Sequence, residues 1–525
     1  MIMHTCTGLL ASSMTLFFLF ASTASAGAPA EKAMLRLITA DRASGNVVPT
    51  RIYLTDSGGK SWAPPDAVVY EKGDERHFVM RGECSVELPA GRYDLLVERG
   101  AEYRPAALSV DLATGEKREV KIALERWIAM NSIGWYSGDL HNHRQIGDMP
   151  LLLLAEDLNL APTLTDWIWE DNPISRPPDT TEPIRQVDPT HVFSVLDKEV
   201  ERLKHGPGAV DLLGLRRVIP FDGYWLYPPN ERFCRLAREQ GGYVDAEKIV
   251  WRDGCALVAL GLVDCAGIVH NHFNRQGVDL ETLEWGMIPK ERPEFDTIAG
   301  MPLWSMEVYY RLLNCGFRLP LSAGSASGVK QAPLGYNRVY VRLDAPFSYE
   351  NWFKALKSGR SFGTNGPMLF LTVDAAGPGE TLSVEGSTTK RVRIRAESLS
   401  PRRQDRLEVL FKGQVIRTIA EPDERGILTV DFDFDVTDTG WFAARSFEPA
   451  GRTIRFAYTS SVYVRLGNRS GVVPADARFF LQWIDREMDH YRKEPRFRKP
   501  EERAEMLKFF EKARAVYQRL VQAAR

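Results

Sequence analysis

Gly134-Trp135-Tyr136-Ser137-Gly138-Asp139-Leu140-His141-Asn142-His143-Arg144 is an extended apolar run that ends in an Asp-x-His-x-His phrase. Along a strand, residues i and i+2 share a face, so the rings of His141 and His143 can reach one ion, with Asp139 on the same side. Imidazole is a common ligand for zinc and other transition metals. Asp139 can bind the ion itself or orient a ligand ring from behind. The competing reading is a pair of surface histidines beside a strand end. A bare His-x-His does not decide between the two, so the surrounding sequence must.

Outward from this phrase, residues 128–343 alternate strand-like and helix-like runs. Met149 to Leu158, Glu231 to Gln240, Ala256 to Val263 and Met306 to Leu313 read as helices. Tyr243-Val244-Asp245 and Ile268-Val269 read as strands. Such alternation predicts a parallel sheet with covering helices, closed as a barrel or open. On either side, residues 30–127 and 370–466 have the short alternating runs of β-sandwiches. Residues 344–369 form a connector, with a helix over Tyr349 to Lys357 and the turn-rich Ser358–Pro367. The tail, 474–525, is helical. Phe479, Phe480, Trp483, Ile484 and Met488 make a stripe there that is expected to dock on the body of the protein. The fold class is therefore multidomain α/β.

The chain has 525 residues, 44% hydrophobic and 26% charged, with a net charge of −2. That length predicts several domains. The charge balance argues against nucleic acid or an anionic membrane as a partner drawn by bulk electrostatics. Residues 1–26 read as a signal peptide, with an apolar core from Leu9 to Ala21 before Ala24-Ser25-Ala26. Its n-region has no Lys or Arg. The expectation is export to the periplasm or beyond, with no membrane span after cleavage. Five cysteines then remain (Cys84, Cys234, Cys255, Cys265, Cys315), an odd number at scattered spacing, which reads as buried small residues and not as a disulfide framework.

Several phrases, in order, carry a resemblance. After Asp139–His143 come Asp197-Lys198-Glu199-Val200, Asp211-Leu212-Leu213-Gly214-Leu215 and Gly267-Ile268-Val269-His270-Asn271-His272. Tyr309–Arg318, Gly324–Val329, Leu334–Val341 and Ala355–Pro367 follow. Together they resemble the PHP (polymerase and histidinol phosphatase) metallohydrolase superfamily, and within it the carbaryl-hydrolase-like, CehA/McbA-type branch. Val86 to Leu95 separately resembles the prealbumin-like or carboxypeptidase-regulatory sandwich. The PHP resemblance implies a distorted (β/α)7 barrel over 128–343, with metal ligands at the strand ends. It implies His141 and His143 as ligands, and Glu199 as an acidic ligand or general base. A solvated helix charge is the alternative for Glu199, given the charged residues that follow it.

The chain departs from that pattern in three places. Glu247 stands where the family has a histidine and is expected to take its role, with Lys248 beside it as a charge-neutralising or substrate-polarising cation or as a plain salt-bridge partner. Thr165-Asp166-Trp167 replaces Thr-Asp-His, leaving Asp166 as a second candidate base. Gly324–Gly328 puts Ala326 and Gly328 where a metal-binding Asp and His would stand. His270 and His272 again share a face at a strand end and are both candidate ligands. The set His141, His143, Glu199, Glu247 and His272, with His270 behind, suits one divalent ion, zinc or manganese, with an open coordination position. Trp167, Trp169, Tyr224, Trp225 and Tyr227 either line a cleft for a small-molecule or saccharide-like substrate or pack in the core. The expected function is metal-dependent hydrolysis of an ester, amide, carbamate or phosphoester through a metal-activated water. The alternative is a binding or scaffold protein, with glycans as a candidate ligand, on a degenerate barrel.

Overall fold

The computed structural model describes residues 31–203, 205–280, 287–385 and 389–523; the expected signal peptide lies outside them. The chain is β-rich, with several sheets and seven α-helices among these residues.

In the N-terminal module, Ala33–Asp41 lies between Glu83–Leu88 (antiparallel) and Lys117–Leu124 (parallel). A second sheet has five strands, with Thr50–Asp56 between Glu75–Met80 and Gly91–Glu98. Period-two patterning puts Leu35 and Leu37 inside and Arg36 outside. The two sheets close around Leu35, Leu37, Ile52, Leu54, Leu95 and Val97. Pro89 and Ala90 carry the chain from one sheet to the other, so the strand–turn–strand phrase at 86–95 spans the sandwich and does not close a hairpin.

The strands in the middle of the chain belong to one closed ring that also takes in strands of the C-terminal module. Trp135–Gly138 touches Leu160–Trp169 in parallel, which in turn runs parallel to His191–Arg202. Tyr243–Ala246, Cys265–Val269 and Leu321–Ala323 are also parallel neighbours. The expectation of uniform strand–helix alternation needs correcting. His191–Arg202 pairs antiparallel with Gly208–Leu213, and that strand pairs antiparallel with Tyr243–Ala246. Among the described residues, 128–343 holds four α-helices: Met149–Ala155, Glu231–Glu239, Gly254–Ala259 and Gly300–Asn314. All twelve residues of His191–Arg202 are buried. Its charged members hide the apolar pattern of a strand, and Gly206-Pro207-Gly208 turns it into a hairpin instead of a crossover.

Residues 344–369 are more than a connector. The helix Tyr349–Lys357 forms as expected, capped by Ser348 Oγ accepting from Asn351 N at 3.1 Å. Ser361–Thr364, read as turn-rich, is a strand held on both edges. It pairs with Arg338–Arg342 of the ring and with Phe456–Thr459 of the C-terminal module. That module encloses Leu369, Leu371, Val392, Ile394, Val409 and Phe442 between the sheet of Met368–Val373, Lys390–Leu399 and Leu428–Val436 and the strands continuing from the ring.

The tail helices, Pro474–Lys493 and Pro500–Ala523, pack on each other and on Gly254–Ala259 and Gly300–Asn314. Phe480, Trp483, Ile484 and Met488 are buried there and Phe479 half-buried, so the stripe is docked as expected. Among the described residues the five cysteines are free thiols, four of them buried. No helix among the described residues is long and apolar enough to cross a membrane.

Candidate metal centre

His141 and His143 follow directly on the strand Trp135–Gly138. Asp139 ties this stretch down from behind. Its carboxylate accepts from the N–H groups of Gly335 at 2.7 Å, Ser325 at 2.9 Å and His141 at 3.2 Å. Three backbone donors hold Asp139 as a structural anchor, not a ligand. Glu199 comes from the buried strand His191–Arg202 and faces the two rings, so the reading of it as a solvated helix charge falls.

The Nε2 atoms of His141 and His143 are 3.1 Å apart. Glu199 Oε1 is 3.4 Å from the first and Oε2 is 3.1 Å from the second. These three residues form a group able to hold a metal ion. Tetrahedral zinc with bonds of about 2.0–2.1 Å requires roughly 3.3 Å between neighbouring ligand atoms, close to this triangle. The surroundings also want positive charge. Both oxygens of buried Asp211, 3.5 Å or more from the nearest ring nitrogen, have no hydrogen-bond partner. Orphaned buried polar atoms on this scale are rare in folded proteins.

The electrostatics follow from that crowding. Burial by itself would raise the Glu199 carboxyl, but His141 and His143 outweigh it and hold it near 2. Burial opposes charge on His141, yet Asp211 and Glu199 keep its pKa well above the ordinary value. Asp211 is pushed well above the carboxylate range by burial, with Glu199 and Glu247 adding to the shift.

Glu247 lies on the other side of His141, with Oε1 at 3.3 Å from Nδ1; Asp211 is 3.5 Å from the same nitrogen. Glu247 also accepts from Lys248 and, at 2.9 Å, from Trp251 Nε1. The structure thus places Glu247 behind the ring, where a carboxylate orients a metal-binding imidazole, and not among the ligands. Lys248 is its salt-bridge partner. Asp166 is not brought to the group: it is bonded to Lys198 at 2.8 Å on the opposite face of its strand from Trp167. His270 and His272 are also outside the three-residue group. His270 Nε2 meets Ser305 Oγ at 3.1 Å and His272 Nδ1 meets the Asp279 carbonyl at 3.1 Å. Burial, reinforced by Lys248, lowers His270 to about 3.

Trp167 packs its ring 4.7 Å from that of His143 and joins Trp169. Tyr224, Trp225 and Tyr227 are elsewhere, under the tail, where Arg498 and Arg496 lie over Tyr224 and Trp225. The five aromatics, open to either a cleft or core packing from sequence, therefore fall into two separate groups. Gly328 has φ +106°, and a Cβ there would stand 2.7 Å from the His143 carbonyl oxygen, so no side chain at 328 fits this backbone. Asp211 escaped the sequence reading. Its signal was the Gly206-Pro207-Gly208 turn, which as a hairpin sets Asp211 directly across from Glu199 on one face.

No family model matches the chain, and no curated protein does. Among solved structures, the Bacillus anthracis TIE protein shares 16% identity over 22% of this chain and 20% of its own, with a TM-score of 0.15. A pilus-presented adhesin (Cpa) shares 16% over 18% and 26%, with a TM-score of 0.13. The matches thus span only 20% and 26% of those proteins' lengths, and likenesses this slight carry no argument.

Proposed function

We propose that this chain is an exported metal-dependent hydrolase on a PHP-type barrel, holding one divalent ion, zinc or manganese, at His141, His143 and Glu199. The observation that carries the reading is the matched triangle of ligand atoms beside buried carboxylate oxygens that lack partners. A bound divalent ion supplies an acidified water and a Lewis acid for an ester, amide, carbamate or phosphoester bond. The chain's own residues set the rest. Glu247 faces the far side of the His141 ring at 3.3 Å and orients it, and Asp139 fixes its backbone. The side of the site toward His143 and Trp167 is the more exposed, which suits a small-molecule or saccharide-like substrate stacking on the indole.

A second reading, a binding or scaffold protein, is favoured by one observation: the ligand side chains are nearly closed to solvent, at 5%, 8% and 1% exposure for His141, His143 and Glu199. Elemental analysis of the purified protein beside His141→Ala/His143→Ala separates them. About one equivalent of zinc or manganese, lost in the variant and needed for turnover of an ester and phosphoester panel, is expected. Absence of metal from both proteins after reconstitution would sink the hydrolase reading and leave the scaffold.

A further inference from the structure

Away from the metal centre, a cavity of about 80 Å³ opens where the three modules meet. By the same measure a single water needs only about 10–15 Å³, so the space takes a polyatomic group. Five arginines and three glutamates line it, leaving two positive charges. The pairing is uneven. Arg51 holds Glu98 and Glu156, and Arg275 shares Glu98 at 3.4 Å. Glu448 accepts from Ser400 Oγ at 2.7 Å.

Three guanidinium groups remain: Arg338 from the ring, and Arg402 and Arg455 from the C-terminal module. Among the described residues none of them makes a salt bridge; Glu448 is near enough for Arg455 and Arg402 to draw on its charge, but one carboxylate does not balance three cations. Arg338 is only 2% exposed and leaves Nη1 without a partner. Arg402 and Arg455 are close enough that Arg455 depresses the Arg402 pKa more than burial does. Like charges gathered around a cavity cost free energy unless an anion joins them, and guanidinium forks match the oxygens of phosphate, sulfate or carboxylate.

We propose that this junction is a second ligand site, built to take an oxyanion group between Arg338, Arg402 and Arg455. The group is a phosphate, a sulfate or a carboxylate, free or carried on a larger molecule. It would bridge the ring and the C-terminal module, beside the N-terminal strand that supplies Arg51. Gly335 also lines the cavity, accepts from Arg338 Nε at 2.6 Å and donates to Asp139, so the site adjoins the support of His141.

The test is titration of the full chain with inorganic phosphate, sulfate and acetate against chloride at constant ionic strength, read by calorimetry and thermal shift. The same titrations on His141→Ala/His143→Ala separate this site from anion binding at the metal centre. Saturable binding of at least one oxyanion is expected in both proteins, weakened tenfold or more in Arg402→Gln/Arg455→Gln; which anion binds tightest identifies the class. Arg402 is exposed, so Arg402→Gln alone retains the fold and should show a smaller loss in the same direction. No saturable binding, or equal affinity in the Gln variants, would overturn the proposal.

Discussion

At the scale of single residues, the candidate metal centre is supported by groups outside the three-residue set His141, His143 and Glu199. Glu247 accepts from Lys248 and Trp251 while facing His141 Nδ1. Glu247→Gln is expected to lower zinc affinity by about 10–100-fold. Competition with a chromogenic chelator measures this, and an unchanged affinity would remove the orienting role. Gly328→Ala forces a Cβ against the His143 carbonyl at a left-handed φ, at a cost of about 1–3 kcal/mol. Its denaturant midpoint should fall and its metal content with it; wild-type values for both would refute the packing argument. His141 and His143 were legible because period two along a strand needs only local sequence. Asp211 and the displaced roles of Asp166 and Glu247 were not, because which face a carboxylate takes depends on pairing partners far away in the chain.

At the scale of elements, the strand Glu75–Met80 carries a titration of its own. His77 Nδ1 lies 2.8 Å from Glu75 Oε1, both fully enclosed. Burial drives the ring from 6.5 down to about 4, and the Glu75 carboxyl is held near 2 against burial by His77 and Arg275. The unfolded chain therefore binds more protons than the native one between pH 6.5 and 4, so stability is full above that window and falls as pH drops through it. Glu75 extends the loss from about 4.5 toward 2. The His77 part is on the order of 3 kcal/mol. Urea melts at pH 7 and pH 4.5 should show a smaller pH-dependent loss for His77→Gln than for wild type; identical losses would discount the pair. The sandwich strands were readable from their alternation. The strand His191–Arg202 was not, since a sequence with five charged residues in six announces a surface until both faces are seen to be covered.

At the scale of the whole molecule, the tail and the shared strand decide how the parts hold together. Tyr517 donates to the Cys255 carbonyl at 2.8 Å, and Trp483 to that of Arg252 at 3.1 Å. A chain ending at Val473 would bare the apolar face these helices cover, and is expected to elute as aggregate in size-exclusion chromatography; a monodisperse, cooperatively melting product would show the tail to be dispensable. Phe362, fully buried, stacks on Tyr340 of the ring and packs against Phe370 of the C-terminal sheet. Phe362→Ala should cost about 3–5 kcal/mol in a single melting transition, and a split into two transitions would mean the modules melt apart. The β-rich stretches and the helical tail were visible in periodicity, whereas the joint between ring and C-terminal strands was hidden in four residues, Ser361–Thr364, that look like a turn. Those residues also bear on descent. An ancestral exchange that swapped the C-terminal sandwich for a different one could not have broken the gene at 370 without stranding an edge of the ring, so the heritable unit of that module begins upstream, with the strand that both neighbours share.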